Sequence, residues 1–375
     1  MSASRPGMTI PILRELSPLG RVVLLATLVV SLVSIVMEWV LGIHGTPIFV
    51  ISALGILGLA YVVGIATERL GGLAGPHVGG ILNATFGNVA ELIIAFFALT
   101  AGELAVVKAS ITGSIIGNLL LVLGASLFFG GWRNGVQQFN AKVAGLDSTL
   151  LVLAVIGLFV PAVFAFSSNA STGQGHRIEE SVLVALVLLV LYFVNLWYRF
   201  RNPTQVLGGG ESEGHAGPPW SVPVALGVLG AAAVLLAILS EQLVGAIDPF
   251  IEAVGLTPFF VGVIVIPTIG NLAEHLVAVQ LSWKNRVDFA MAVSIGSSLQ
   301  VALFVAPVLV LLGLVVNQPM DLVFEPLEVA AVAAAAGICA LVSLDGESNW
   351  LEGALLMGVY AILGVSFFYL GGAIV

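Results

Sequence analysis

The sequence predicts an all-α polytopic membrane protein of about eleven transmembrane helices, built as two inverted five-helix repeats behind an extra first helix. Three observations carry this. Of the 375 residues 59 % are hydrophobic and only 9 % are charged, 12 basic and 21 acidic, where an ordinary globular domain carries roughly a quarter. The apolar stretches are long enough to cross a bilayer one after another, at about 20 residues for each crossing. Two polar motifs recur in them at one constant spacing.

The composition also excludes function classes. So few charges cannot cover a soluble core of this size, which removes a cytosolic enzyme, and the apolar content removes a disordered chain. The net charge of −9 repels phosphate, so nucleic acid is not a partner. The single cysteine, Cys339, cannot form an intramolecular disulfide and reads as a small core- or lipid-facing residue.

Breaking the chain at clusters of Gly, Pro and charge gives spans at 22–43, 47–67, 77–100, 105–129, 144–166, 178–199, 221–245, 257–280, 287–314, 322–344 and 350–373. The first follows an Arg-containing segment with no small-residue cleavage site after it, so it reads as a span and not as a signal peptide. Short breaks make neighbouring helices antiparallel. The one longer break, from Arg201 to Trp220, contains three consecutive glycines, Glu211, Glu213 and several prolines, and reads as a flexible linker. The expected organisation is a tail and extra helix at 1–46, a first repeat at 47–200, the linker at 201–220 and a second repeat at 221–375.

Counting Lys and Arg on alternate sides places ten (Arg5, Arg14, Arg21, Arg69, Arg133, Lys142, Arg199, Arg201, Lys284 and Arg286) on one side and two, Lys108 and Arg177, on the other. The richer side is cytoplasmic by the positive-inside rule. The N-terminus and linker are then expected inside and the C-terminus outside.

The third span contains Gly87-Asn88-x-Ala90-Glu91 and the eighth Gly270-Asn271-x-Ala273-Glu274, an offset of 183 residues. The same offset pairs Thr85 with Thr268, and Gly113 and Ser114 of the fourth span with Gly296 and Ser297 of the ninth. Five spans separate the copies, so the two cross the membrane in opposite directions. Transporters with such repeats bind substrate and coupling ion near the midplane, where the repeats meet.

A carboxylate at mid-membrane is costly and marks a functional site by default. Most acidic residues, Asp147 among them, fall at span ends or in loops; Glu91 and Glu274 lie deep and are equivalent. Glu38 also reads as deep, but lies outside the repeat, where an interhelical hydrogen bond is its expected role. Asn88 and Asn271, each three residues before a Glu, share its helical face. Ser114, Asn118, Ser297, Ser298 and Gln300 add hydroxyl and amide oxygens from the fourth and ninth spans, with helix packing as the alternative role of the small residues. Two carboxylates among amides and hydroxyls form a hard oxygen set suited to Ca2+, and Mn2+ fits it too. Mid-span Gly87, Gly270 and Pro267 are expected to loosen or break their helices and free backbone carbonyls for a cation, with close helix packing through Gly as an equal reading. His275 is placed either to relay protons or to pack, since it points about 100° away from Glu274.

The charge arithmetic supports exchange. With both Glu ionised, two negative charges in low dielectric oppose closure; one Ca2+ or two protons neutralise them, and either loaded form can be occluded.

At these residues, NATFGNVAELIIAFFAL (83–99), GSIIGNLLLVLG (113–124), PTIGNLAEHLVAV (267–279) and GSSLQVALFV (296–305), the sequence resembles the Ca2+/H+ antiporter branch of the cation/Ca2+ exchanger superfamily. The resemblance implies a secondary active transporter and not an enzyme. It also implies alternating access between two repeats, with Glu91 and Glu274 as the central cation and proton sites. Asn88 and Asn271 would join them, and Thr85, Ser114, Asn118, Thr268, His275, Ser297, Ser298 and Gln300 would line the pathway. Ca2+ and protons would be substrates, with no cofactor and the lipid bilayer as surroundings. Two departures stand out: the linker has few acids where relatives often have many, and Gly117 stands where the family often has Ser. The short N-terminus points to a prokaryotic cytoplasmic membrane. The alternatives are a Mn2+/H+ or Na+/H+ antiporter, or a passive cation channel.

Overall fold

The computed structural model describes residues 18–74, 86–167, 176–202 and 220–370. Helix α1 (Pro18–Trp39) leads to α2 (Thr46–Ala74) and α3 (Val89–Thr100). Helix α4 (Leu104–Ile116) passes through a π-helical turn, Gly117–Val122, into α5 (Leu123–Asn134). Then come α6 (Ala141–Ser167), α7 (Arg177–Arg201), α8 (Val222–Gly245) and a short α9 (Ile247–Val254). A turn of helix α10 (Pro258–Phe260) and a π segment, Val261–Val265, continue into α11 (Ile266–Trp283). Helix α12 (Val287–Gln300) continues through Val301–Val305, again π-helical, into α13 (Ala306–Val315), followed by α14 (Pro326–Val342) and α15 (Trp350–Tyr369).

Among the described residues nine helices are long and apolar enough to cross a membrane, and α3 and α14 are shorter apolar helices. All eleven expected spans therefore contain a helix, although the start of the third, the linker from 203 to 219 and Thr85 lie outside the described residues. Two boundaries need correction. Helix α1 ends at Trp39, so Glu38 sits at a helix end, 4.0 Å from His44 Nδ1; the interhelical bond nearby runs instead from Ser34 to Gln242 at 2.7 Å. The amphipathic α9 lies where only a connection was expected.

The helices are sorted by depth. In the continuous α4–α5 rod 83 % of the residues of the most apolar stretch are buried, against 17 % for α1 and α15, so α4–α5 is central and α1 and α15 lie outermost. Around it, α5 packs on α15 and α11, α4 on the π segment 261–265, α2 on α8, and α14 on α6. Close approaches depend on glycine. A Cβ on Gly353 of α15 would stand 2.2 Å from the Phe128 nitrogen and 2.5 Å from the Gly124 carbonyl of α5. Gly353→Val should therefore push α15 off α5 and lower stability by about 1–3 kcal/mol, read as a lower melting temperature in detergent.

A two-stranded antiparallel ladder, β1 (Gln137–Gln138) with β2 (Glu347–Ser348), joins the α5–α6 and α14–α15 connections. Asp147, expected at a span end, is buried in α6 and paired with Arg199 of α7. This neutralises a charge that could not otherwise stay at that depth.

Candidate functional site

The chain is not helical at Gly87 and Asn88: α3 starts at Val89, with Asn88 as its N-cap at φ −100° and ψ 22°. In the second half Gly270 and Asn271 lie inside continuous α11, and the irregularity comes earlier, in the π segment before Pro267. The expected loosening is thus present in both halves but differently placed. The offset of 183 carries the π turn 117–122 to 300–305, one residue longer at its start than the π turn 301–305. A π turn shifts the helical face by a residue and is found often at functional sites.

The polar residues converge in two crossed clusters. Glu91 Oε1 accepts hydrogen bonds from Ser114 Oγ of α4 and from Asn271 Nδ2 of α11, and Asn271 Nδ2 is also 3.4 Å from Ser114 Oγ. On the other side, Ser297 Oγ donates to Asn88 Oδ1 at 2.8 Å and Asn88 Nδ2 to Gln300 Oε1 at 2.6 Å. Ser297 is also a hydrogen-bond partner of Glu274, and Asn118 Nδ2 donates to Ser297 Oγ at 3.1 Å. Each Asn was expected to accompany the Glu of its own helix. Instead Asn271 serves Glu91, and Asn88 serves the hydroxyl beside Glu274. Equivalent residues make exchanged contacts, which links the halves at their centre.

The two carboxylates are close enough for their charges to interact. The second oxygen of each, Oε2, is buried with no protein partner among the described residues. A buried acceptor without a partner needs an explanation. Small residues make the room: a Cβ on Gly270 would meet Glu91 Cγ at 2.8 Å.

One cavity among the described residues reaches this centre. A cavity of about 310 Å³ runs past Tyr61, Thr67 and Glu68 of α2 to Gly270, Glu274, Gly296, Ser297 and Gln300. Its walls extend towards Val277 of α11 and Ala292 and Val293 of α12, the ends that join through Lys284 and Arg286. Glu274 lines it, whereas Glu91 is 8 % exposed and sits behind. Gly113, the equivalent of cavity-lining Gly296, is sealed against α10–α11: its Cβ would stand 2.0 Å from the Val263 carbonyl, while one on Gly296 would meet nothing within 4 Å.

Other expected residues fall away from the centre. Thr268 donates to Ile264 O of its own helix at 2.6 Å, and Ser298 to Ser294 O at 3.0 Å, with Ile115 O at 3.4 Å. Both hydroxyls serve helix backbone. His275 Nε2 is buried and unpartnered among the described residues. Among those residues no three His, Cys, Asp or Glu side chains cluster as a metal site. The centre therefore holds two carboxylates within amides and hydroxyls. Sequence reasoning missed Glu68 at the cavity wall and buried Glu328, each near a helix end where an acid reads as a cap.

Residues 44–201 and 224–369 match the sodium/calcium exchanger protein family. The chain belongs to that family. Within it the relatives are antiporters, not enzymes. The chain is 43 % identical to a Ca2+/H+ antiporter of Aphanothece halophytica over 86 % of this chain and 90 % of that protein. It is 39 % identical to the Ca2+/H+ antiporter ChaA of Bacillus subtilis over 91 % and 96 %. The solved structure of native YfkE matches the exchanger with a TM-score of 0.80 at 35 % identity, covering 93 % of this chain and 100 % of that one. The fold is also that of an H+/Ca2+ exchanger, CAX, at a TM-score of 0.67 and 16 % identity, with 94 % and 93 % covered. The exchanger is an integral membrane protein, as its apolar helices require.

Proposed function

We propose that this chain exchanges Ca2+ for protons across a membrane by alternating access, with Glu91 and Glu274 binding either the cation or protons. The observation that carries the reading is the pair of carboxylates whose Oε2 atoms are buried and unpartnered while their surroundings offer hydroxyl and amide oxygens. Ca2+ takes six to eight such oxygens at flexible geometry. The names of the bacterial relatives, Ca2+/H+ antiporters, support the choice of ions.

Asn88, Asn271, Ser114, Asn118, Ser297 and Gln300 hold the two carboxylates in register, and residues 47–200 and 221–375 act as the two inverted repeats. The empty site carries two negative charges in low dielectric and resists closure. One Ca2+ or a proton on each Glu removes that charge, so either loaded form closes and reopens on the opposite side. With ten of twelve basic residues on one side, the N-terminus and linker are cytoplasmic and the cavity at Glu274 opens to the cytoplasm. Glu91 becomes the accessible partner when the halves exchange roles.

The test is an imposed pH gradient in inverted vesicles or proteoliposomes, followed on addition of Ca2+, Mn2+, Na+ or K+ in turn. Dissipation by Ca2+ is the expected result; dissipation by Mn2+ or Na+ alone would replace Ca2+ as substrate, and cation flux with no proton movement would remove the antiporter reading. Protons and Ca2+ compete for the same oxygens. The apparent KM for Ca2+ should therefore rise as pH falls on the loading side, and a pH-independent KM would contradict shared sites.

A further inference from the structure

A second buried polar cluster lies outside the exchange centre, on the far side of α4. Thr112 Oγ1 lies 2.6 Å from Glu328 Oε1 of α14, its shortest acceptor, with Ala109 O and Lys108 O of its own helix at 3.0 and 3.3 Å, and both Thr112 and Glu328 are 2 % exposed. The other oxygen, Glu328 Oε2, accepts the backbone N–H of Glu325 at 2.8 Å, in a capping box that starts α14. One turn earlier on α4, Lys108 forms an ion pair with Asp321 and donates to Val323 O at 3.0 Å. Asp321 in turn accepts the Val323 N–H at 3.1 Å. The segment before α14 and its first turn thus grip α4 twice.

Residues 108 and 112 are four apart and share one helical face. Ser114 is two residues further on, about 200° round the helix, so it leaves from the opposite face, towards Glu91. Two directional contacts one turn apart fix a helix in both axial height and rotation. Hydrogen bonds weaken steeply with distance and angle, so the bond from Ser114 to Glu91 depends on that setting. The other half is held differently: the offset of 183 carries Lys108 and Thr112 to Met291 and Ile295, both buried and apolar, whose packing is not directional. Among the described residues the segment before α6 hydrogen-bonds to α12 only at its first turn, where the Asn140 N–H donates to Asp288 Oδ1 at 2.7 Å.

We propose that Thr112 and Glu328, backed by Lys108–Asp321, are positioning residues that set α4 so that Ser114 meets Glu91. They act through Ser114 and touch no cation. The inference rests on the exchange reading only in taking Glu91 as a cation site.

The test measures the KM for Ca2+ in proteoliposomes for Thr112→Val, Thr112→Ser, Ser114→Ala and the double variant Thr112→Val with Ser114→Ala. Thr112→Val should raise KM by between about threefold and thirtyfold with kcat little changed, and Thr112→Ser should restore it. The double variant should be no worse than Ser114→Ala, because the route through Ser114 is already cut. A wild-type KM for Thr112→Val, or effects that multiply in the double variant, would overturn the proposal; a merely structural role would lower the melting temperature and leave KM alone. Where Thr112→Val does not fold, Glu328→Gln, which offers one oxygen to two donors, carries the same comparison. KM for Ca2+ is read whether or not protons move, so failure of the exchange reading and failure of this one are distinguishable.

Discussion

Neither Glu91→Gln nor Glu274→Gln should move Ca2+ against a proton gradient. The amide keeps the size of the side chain and removes its charge and its titration together. In the Glu91 variant, Ser114 and Asn271 still face an oxygen or an NH2, so the fold survives; what is lost is one of two negative charges that draw in the cation. A fall of at least about a hundredfold follows if the missing contact is a buried charge-assisted one of about 3 kcal/mol. The two variants should fail alike, because the centre needs both carboxylates to reach neutrality with one Ca2+. Their effects differ in access: Glu274 lines the cavity and Glu91 does not, so Glu274→Gln should also weaken Ca2+ binding measured from the cavity side alone. Wild-type-like uptake by either variant would end the scheme.

Gly113→Ala should be the most damaging change outside the carboxylates. Its Cβ would fall 2.0 Å from the Val263 carbonyl and 2.8 Å from Pro267 Cγ, and a backbone carbonyl in a packed π segment cannot swing aside. Either α4 or α10–α11 must shift, at about 1–3 kcal/mol, and α4 carries Ser114. Transport should fall by between about fivefold and a hundredfold, the scale of that energy, with a lower melting temperature. Gly296→Ala is the contrasting substitution. The added methyl meets nothing within 4 Å, so the melting temperature should stay at the wild-type value, while transport falls if Gly296 must pack as Gly113 does when the halves exchange roles. Wild-type transport by Gly113→Ala would show that α4 and the π segment do not approach so closely.

Much of this was legible in the sequence because two signals are one-dimensional. Apolar runs separated by Gly, Pro and charge mark eleven stretches, each of which contains a helix, and a gapless offset of 183 pairs Glu91 with Glu274. Features that depend on direction round a helix or on contacts between distant segments were not legible. Ser297 and Ser298 are neighbours, yet one faces Asn88 and Glu274 and the other bonds to its own helix at Ser294; successive helical residues point about 100° apart, and the sequence does not say which of the two is turned to the centre. The partners of Asn88 and Asn271 proved to lie in the opposite half, because α3 begins only after Asn88 and the two halves interlock. The bond of Glu328 to Thr112 joins residues 216 apart in sequence, a separation that no local pattern carries.

The central claim is that one pair of carboxylates carries both ions. It is tested most directly by recording Ca2+ entry and proton exit at the same time in the same proteoliposomes, for the wild type and for Glu91→Gln and Glu274→Gln. Ca2+ entry should be matched in time by proton exit in the wild type, and both should vanish together in each variant. Ca2+ entering wild-type vesicles without proton movement, or coupled fluxes surviving in either variant, would contradict the account.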